Sequence, residues 1–273
     1  TKEQFVKDVI AGIIVAIIAL PLSIALALAS GVTPEKGIYT AITAGFVISF
    51  LGGSRVQIAG PTAAFATIVA GIVAKNGMDG LIIATLLAGV ILILMGFLRL
   101  GNLIKFIPYT ITTGFTSGIA VTIFIGQIKD FLGLTIVSEE PLIETMDKLK
   151  AVFQFISTTN VQALLVGVIS LLILILWQYL PGFCKKIPPS LIAVLVGSAM
   201  VALLNMNVNT IGDLYEISNK LPSISLPAFS LKTVQNVLPD AFTIAILAAI
   251  ESLLSCVVAD SMVNSRHRSN MEL

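Results

Sequence analysis

Charge is what this 273-residue sequence has least of: Asp, Glu, Lys and Arg make up 11% of it, where a soluble domain carries about 25%. Histidine occurs once and cysteine twice. The single histidine, His267, lies in a basic stretch near the end of the sequence, so no multi-histidine metal centre can be built and no metal site is expected. Cys184 and Cys256 form no spaced pair, and Cys256 lies inside an apolar run, which points to small apolar fillers. The net charge of +1 gives no reason to expect nucleic acid as a partner. The first residues, from Thr1, lack the charged and apolar regions of a signal peptide and are not expected to be one.

What the sequence has instead is apolar length. Hydrophobic residues make up 56%, the mean hydropathy is +1.01, and the few charges cluster, leaving long apolar runs. One such run can be a buried core helix, but eight in one chain exclude a soluble fold. A helix needs about 20 apolar residues to cross the hydrocarbon core. The runs predict membrane segments at 9–29, 38–53, 61–74, 80–99, 106–127, 161–180, 187–204 and 240–262, of which the second and third are short. With the N-terminus cytoplasmic, the inside pieces carry nine Lys and Arg against four acids, and the outside pieces seven against ten. That asymmetry favours an N-inside, multi-pass arrangement.

Two long outside connections, 128–160 and 205–239, remain. Charges and apolar residues interleave from Glu139 to Phe155, as in an interfacial helix. Pro222, Pro227 and an alternating Ser-Ile-Ser-Leu predict a short extended stretch. Trp177 and Tyr179 suit an aromatic belt, and Gly114 with Gly118 makes a GxxxG packing face.

Three features carry candidate chemistry. Pro61 fits the first turn of a helix, and a helix from Pro61 to Ala74 is about 21 Å long at 1.5 Å per residue, short of the roughly 30 Å core. It would begin partway into the membrane, presenting free N–H groups and a partial positive charge suited to an anion. The small residues Thr62, Ala63 and Ala64 would let a ligand reach the backbone; an ordinary proline-kinked span fits the spacing equally well. The second feature is Glu251, 11 residues after Asp240 and 9 before Asp260, hence near mid-span. A carboxylate there costs about 2.5 kcal/mol or more and marks a functional site by default. It could carry a transported proton or pair with sodium, with Ser255 on the same helix face; a structural carboxyl bonded to a neighbouring helix is the alternative. The third is Leu20-Pro21-Leu22-Ser23, which breaks the first span near its centre: Pro21 frees a backbone carbonyl, a common feature of transporter binding sites, and a simple kink accounts for the spacing equally well.

The motifs Asp8 with Ala11-Gly12, Leu20-Pro21, Gly31-Val32-x-Pro34-x-x-Gly37-x-Tyr39, Leu51-Gly52-Gly53-Ser54, Gly60-Pro61-Thr62-Ala63-Ala64, and Glu251-Ser252-Leu253-Leu254-Ser255 through Asp260 to His267-Arg268-Ser269-Asn270 cover most of the chain in order and spacing. The sequence resembles the SulP (sulfate permease) family of anion transporters, bacterial branch. The resemblance implies an all-α polytopic membrane fold: the first seven-segment inverted repeat plus the first segment of the second, with a half-helix at Pro61. It implies core-domain segments over 1–100, gate-domain segments with extracellular connections over 101–236, and a further core segment with a cytoplasmic tail over 237–273; the second repeat and any STAS domain would lie beyond.

By the same resemblance the anion site takes in Ala59, Gly60, Pro61, Thr62, Ala63 and Ala64, with Leu22 and Ser23 from the first span. Many members have Gln where this chain has Leu22. Glu251 and Ser255 stand where a sodium-coupled bicarbonate branch has Asp and Thr, and Glu looks more like the proton-coupled branch. The expectation is therefore secondary active transport of a small inorganic or organic anion (sulfate, dicarboxylate or bicarbonate) by alternating access, with no cofactor but a co-transported proton or sodium ion. The protein would be a homodimer in the lipid bilayer of the plasma (inner) membrane. A nucleobase–proton symporter of related fold is the nearest rival, and flux measurements alone would separate an anion channel. An intramembrane enzyme is disfavoured, since no serine–histidine or paired aspartate arrangement is visible.

Overall fold

Long apolar runs have one economical solution in lipid: helices, which satisfy their backbone hydrogen bonds internally. The computed structural model describes residues 2–60, 62–102, 109–137, 142, 144–181, 187–215 and 227–273. Among the described residues every regular element is helical. In chain order they are α1 (Lys2–Ala29), α2 (Pro34–Leu51), α3 (Ala63–Phe97), α4 (Tyr109–Phe131), α5 (Thr145–Gln154), α6 (Val161–Leu176), α7 (Pro189–Leu203), α8 (Ile211–Leu214), α9 (Leu231–Val263) and α10 (Ser269–Glu272). Of these α1, α3, α9 and α6 with its extension to Tyr179 are long and apolar enough to cross a membrane by themselves. The expected all-helical membrane fold is the fold observed.

The predicted third and fourth segments are the two arms of α3. They meet at Gly77, whose φ of 66° and ψ of −171° are non-helical and suit glycine, which has no Cβ to clash. The predicted eighth segment begins earlier than expected. α9 runs back through Pro239 to Leu231, because Val237 on the added turns is fully buried and Val234 packs beside it. The break expected at Pro21 does not end the first helix: α1 continues to Ala29. Among the described residues of the amphipathic stretch from Glu139 to Phe155, Thr145 to Gln154 form a helix. The extended stretch expected around Pro222 lies outside the described residues.

The chain divides into two compact units, Thr1–Leu22 with Ala120–Ser218, and Ser23–Ile119 with Asn219–Leu273. In the first, α6 packs on α7. Asn160 caps α6, its side chain accepting from the N–H groups of Gln162 and Ala163, two donors that a helix start leaves free. Trp177 Nε1 donates to the Ile187 carbonyl at 3.1 Å.

The second unit is organised by α3 against α9, which share the most extensive contact between elements. Val237, Ala241, Ala245, Ala249 and Leu253 are buried on α9, one residue in four and therefore one helix face. Gly80, Ala84 and Ala88 form the matching row on α3. Between lipid-embedded helices there is little hydrophobic drive, and small residues that allow close backbone approach hold the pair by packing. Glycine is required likewise at Gly37 on α2, where a Cβ would overlap the Ser23 carbonyl oxygen. By contrast, nothing among the described residues comes within 4 Å of a Cβ built at Gly114 or Gly118.

Ala245→Leu, placed in the fully buried row, is expected to destabilise the protein by about 1–3 kcal/mol through overpacking. Ile246→Leu, on the exposed neighbouring position, should leave the midpoint of thermal unfolding in detergent unchanged.

Candidate functional site

The second unit brings the start of α3 to the middle of α9. Thr62 occupies the N-cap of α3 with φ −118° and ψ 152°, yet its side chain makes no capping hydrogen bond. A threonine in that position ordinarily accepts from the first turn. Here its hydroxyl donates instead to Glu251 Oε2 at 3.0 Å. The carbonyl of Thr62 accepts from Phe65 N–H. Among the described residues the N–H groups of Ala63 and Ala64 find no partner; they lie at the positive end of the helix dipole. Both Thr62 and Glu251 are half-buried.

Residues 52–60, which lead to this point, have no regular structure, as the short-helix arithmetic requires. Backbone of that kind at membrane depth must be tied to protein, and Gln57 ties it. Its Nε2 donates to the Ser252 carbonyl at 3.5 Å, and its Oε1 accepts from the buried thiol of Cys256. Cys256 is the apolar filler expected, and a hydrogen-bond donor as well. A second anchor is Glu272 on α10. Its Oε2 accepts from the N–H groups of Gly53 at 2.8 Å and Ser54 at 3.2 Å, and its Oε1 from Ser252 Oγ at 2.7 Å.

The segment after α9 is therefore pinned. Asn264 ends the helix in the left-handed conformation. Asp260 then accepts from Ser265 Oγ and from the N–H of His267, and its Oδ2 lies 2.7 Å from His267 Nδ1. Ser269 Oγ stands 2.9 Å from His267 Nε2. Asp260, His267 and Ser269 are thus a carboxylate–imidazole–hydroxyl chain, an arrangement that the sequence did not reveal. Its bonds fold residues 265–269 back on the end of α9. Gly53 permits the close approach: its carbonyl accepts from Arg268 N–H at 3.0 Å, and a Cβ there would run into the Arg268 carbonyl.

The expected site residues are distributed as follows. Thr62, Ala63 and Ala64 stand at the start of α3, two residues later than the start expected at Pro61, which itself lies outside the described residues. Ala59 and Gly60 precede it directly. Ser23 is buried in the same unit, while Leu22 belongs to the first unit and is 52% exposed. Glu251 meets Thr62. Ser255 is exposed and makes no hydrogen bond to Glu251. Missed in the sequence were Gln57, Ser252 and Glu272. A lone glutamine in the run Val56 to Gly60 was the available signal for the first; a chain of separate helices gave none for Glu272. Among the described residues no group of three or more His, Cys, Asp or Glu could hold a metal ion.

A polytopic helical membrane protein with an interrupted helix facing a mid-span acid is the class this arrangement defines. Residues 5–273 match the sulfate permease family, and the chain belongs to it. It is 43% identical over 99% of its length to a putative sulfate transporter, YvdB, of Bacillus subtilis, covering 51% of that protein. It is 32% identical over 97% of its length to the bicarbonate transporter BicA of a Picosynechococcus strain, covering 48%. The solved transmembrane domain of a cyanobacterial BicA superposes with a TM-score of 0.80 at 30% identity, over 96% of this chain and 67% of that one. The chain spans about half the length of these curated relatives. They are named as transporters, not enzymes.

Removing the Glu272 carboxylate leaves two backbone donors and a hydroxyl without their charged acceptor, a loss of about 1.5–3 kcal/mol per bond at most. Glu272→Ala should accordingly speed tryptic cleavage after Arg266 and Arg268 by about tenfold or more, since cleavage tracks local opening. Unchanged cleavage would mean that the clamp does not hold the segment.

Proposed function

We propose that the protein carries out secondary active transport of a small anion by alternating access, with the anion held at the start of α3 and a proton carried on Glu251. The observation that carries this reading is the hydrogen bond from Thr62 to Glu251, which links the helix start to the intramembrane acid. A threonine hydroxyl has one proton to donate. While Glu251 is ionised, that proton is committed to the carboxylate. Once Glu251 is protonated, its own O–H can donate to Thr62 Oγ1, and the threonine proton is released to the anion beside the open N–H groups of Ala63 and Ala64. Neutralising the acid also removes a negative charge from beside the anion. Both effects make proton and anion bind together, which is the thermodynamic requirement for symport.

The names of the relatives support sulfate and bicarbonate as cargo; dicarboxylate remains within the same chemistry, and sodium in place of the proton is the alternative coupling ion. We also infer core segments over 1–100 and 237–273 and gate segments over 101–236. The compact unit that joins 23–119 to 219–273 supports the grouping of α9 with α2 and α3. A homodimer in the plasma membrane with a cytoplasmic N-terminus completes the reading; the excess of basic residues in the short loops at one side supports that orientation.

Uptake of labelled sulfate or bicarbonate into proteoliposomes tests it. An inward proton gradient should accelerate uptake by the unaltered protein, and Glu251→Gln should remove that acceleration. Thr62→Val should raise KM by about tenfold or more, the order expected for losing a hydrogen bond to a charged group, and Thr62→Ser should restore it. Gradient-driven uptake that persists in Glu251→Gln would exclude the coupling role, and acceleration by sodium alone would favour the other ion.

A further inference from the structure

Where the segment after α9 folds back, it encloses a cavity of about 320 Å³ whose lining includes Ser54, Arg55, Asp260, Arg266, His267 and Arg268. That volume is at the lower end of the roughly 300–1,000 Å³ typical of small-molecule sites. Three arginines and one carboxylate line it, and the carboxylate is already engaged with His267 and Ser265. Among the described residues none of the three guanidinium groups lies within ion-pair distance of an acid. Glu272, the next carboxylate in the region, is committed to Gly53, Ser54 and Ser252.

The arginines are nevertheless placed by ordered backbone. Arg268 N–H donates to the Gly53 carbonyl, two residues from Arg55, and the Arg268 carbonyl accepts from Met271 and Glu272 N–H. Arg266 and Arg268 flank His267, which is bonded to Asp260 and Ser269. The two short stretches that carry the arginines are therefore stitched into one rim. The cavity also has a defined position along the helices. It lies just past the apolar ends of α2 at Leu51 and α9 at Val263, and Phe50 and Met262 on those last turns are 81% and 80% exposed. Acyl chains would cover those side chains, and a headgroup would lie at the level of the arginines.

We propose that this cavity binds a phosphate group, and that its source is the headgroup of an anionic phospholipid. Arginine suits that ligand because its planar fork bonds two phosphate oxygens at once, and basic pockets between the ends of membrane helices are suited to anionic headgroups. The site is separate from the start of α3, and nothing in the proposed transport reaction requires it.

The test uses the intact purified protein, stripped of lipid in detergent and titrated with short-chain phosphatidylglycerol, short-chain phosphatidylcholine or inorganic phosphate, with binding read by native mass spectrometry and by the unfolding midpoint. Phosphatidylglycerol should bind and raise the midpoint, phosphatidylcholine should not, and Arg55→Gln, Arg266→Gln and Arg268→Gln together should weaken phosphatidylglycerol at least tenfold. Because these side chains are exposed and carry no ion pair among the described residues, the triple variant should fold; if its midpoint without lipid falls, the corresponding Arg→Lys set, which keeps the charge and loses the fork, replaces it and should weaken binding by a smaller factor. Inorganic phosphate that binds with the same arginine dependence would support the phosphate site and assign a soluble source. Equal phosphatidylglycerol binding by the triple variant, or an equal loss in Arg99→Gln outside the cavity, would overturn the proposal.

Discussion

Much of the second unit turns on how the start of α3 and the irregular chain before it are held. Lipid offers no water to the first-turn N–H groups or to the chain that leads to them, so protein must hold both. The α3–α9 pair does so. A row of alanines on each helix brings the backbones close enough for Thr62 to reach Glu251 and for Gln57 to reach Ser252 and Cys256. The small side chains, unremarkable in a sequence of apolar helices, set the geometry of the polar ones.

That division of labour explains which parts of the protein were legible in its sequence. Hydropathy reports length in the membrane directly, so the spans at 9–29, 161–180 and 187–204 correspond to α1, α6 and α7 to within a few residues, apart from the N-terminal extension of α1. The start of α3 was legible to within two residues because proline marks where a helix can begin, although the spacing fitted a proline-kinked span equally well. The mid-span acid stood out because a carboxylate in hydrocarbon is costly. The bond between them was not legible: Thr62 and Glu251 are 189 residues apart, and nothing local announces a long-range partner.

The same limit left other details open. Pro21 fitted either a break or a simple kink, and α1 carries through it. Ser255 has the helical spacing to assist Glu251 but is exposed, whereas Ser252, one residue from the acid, is the serine that bonds, and it bonds Glu272. The stretch from Ser265 to Leu273 reads as a basic tail. In the structure Glu272, His267 and Asp260 of α9 fold it against Gly53 and the end of α9, leaving its arginines without acidic partners among the described residues. Clustered basic residues in a membrane protein usually report orientation alone; here their backbone is held in place.

The central claim is that Glu251 takes up a proton as the anion enters, and it is read most directly from proteoliposomes that hold a pH dye while labelled sulfate is added outside. The account predicts that the lumen acidifies in step with sulfate entry, and that Glu251→Gln abolishes the pH change. Sulfate entry at an undiminished rate with no acidification of the lumen would contradict it.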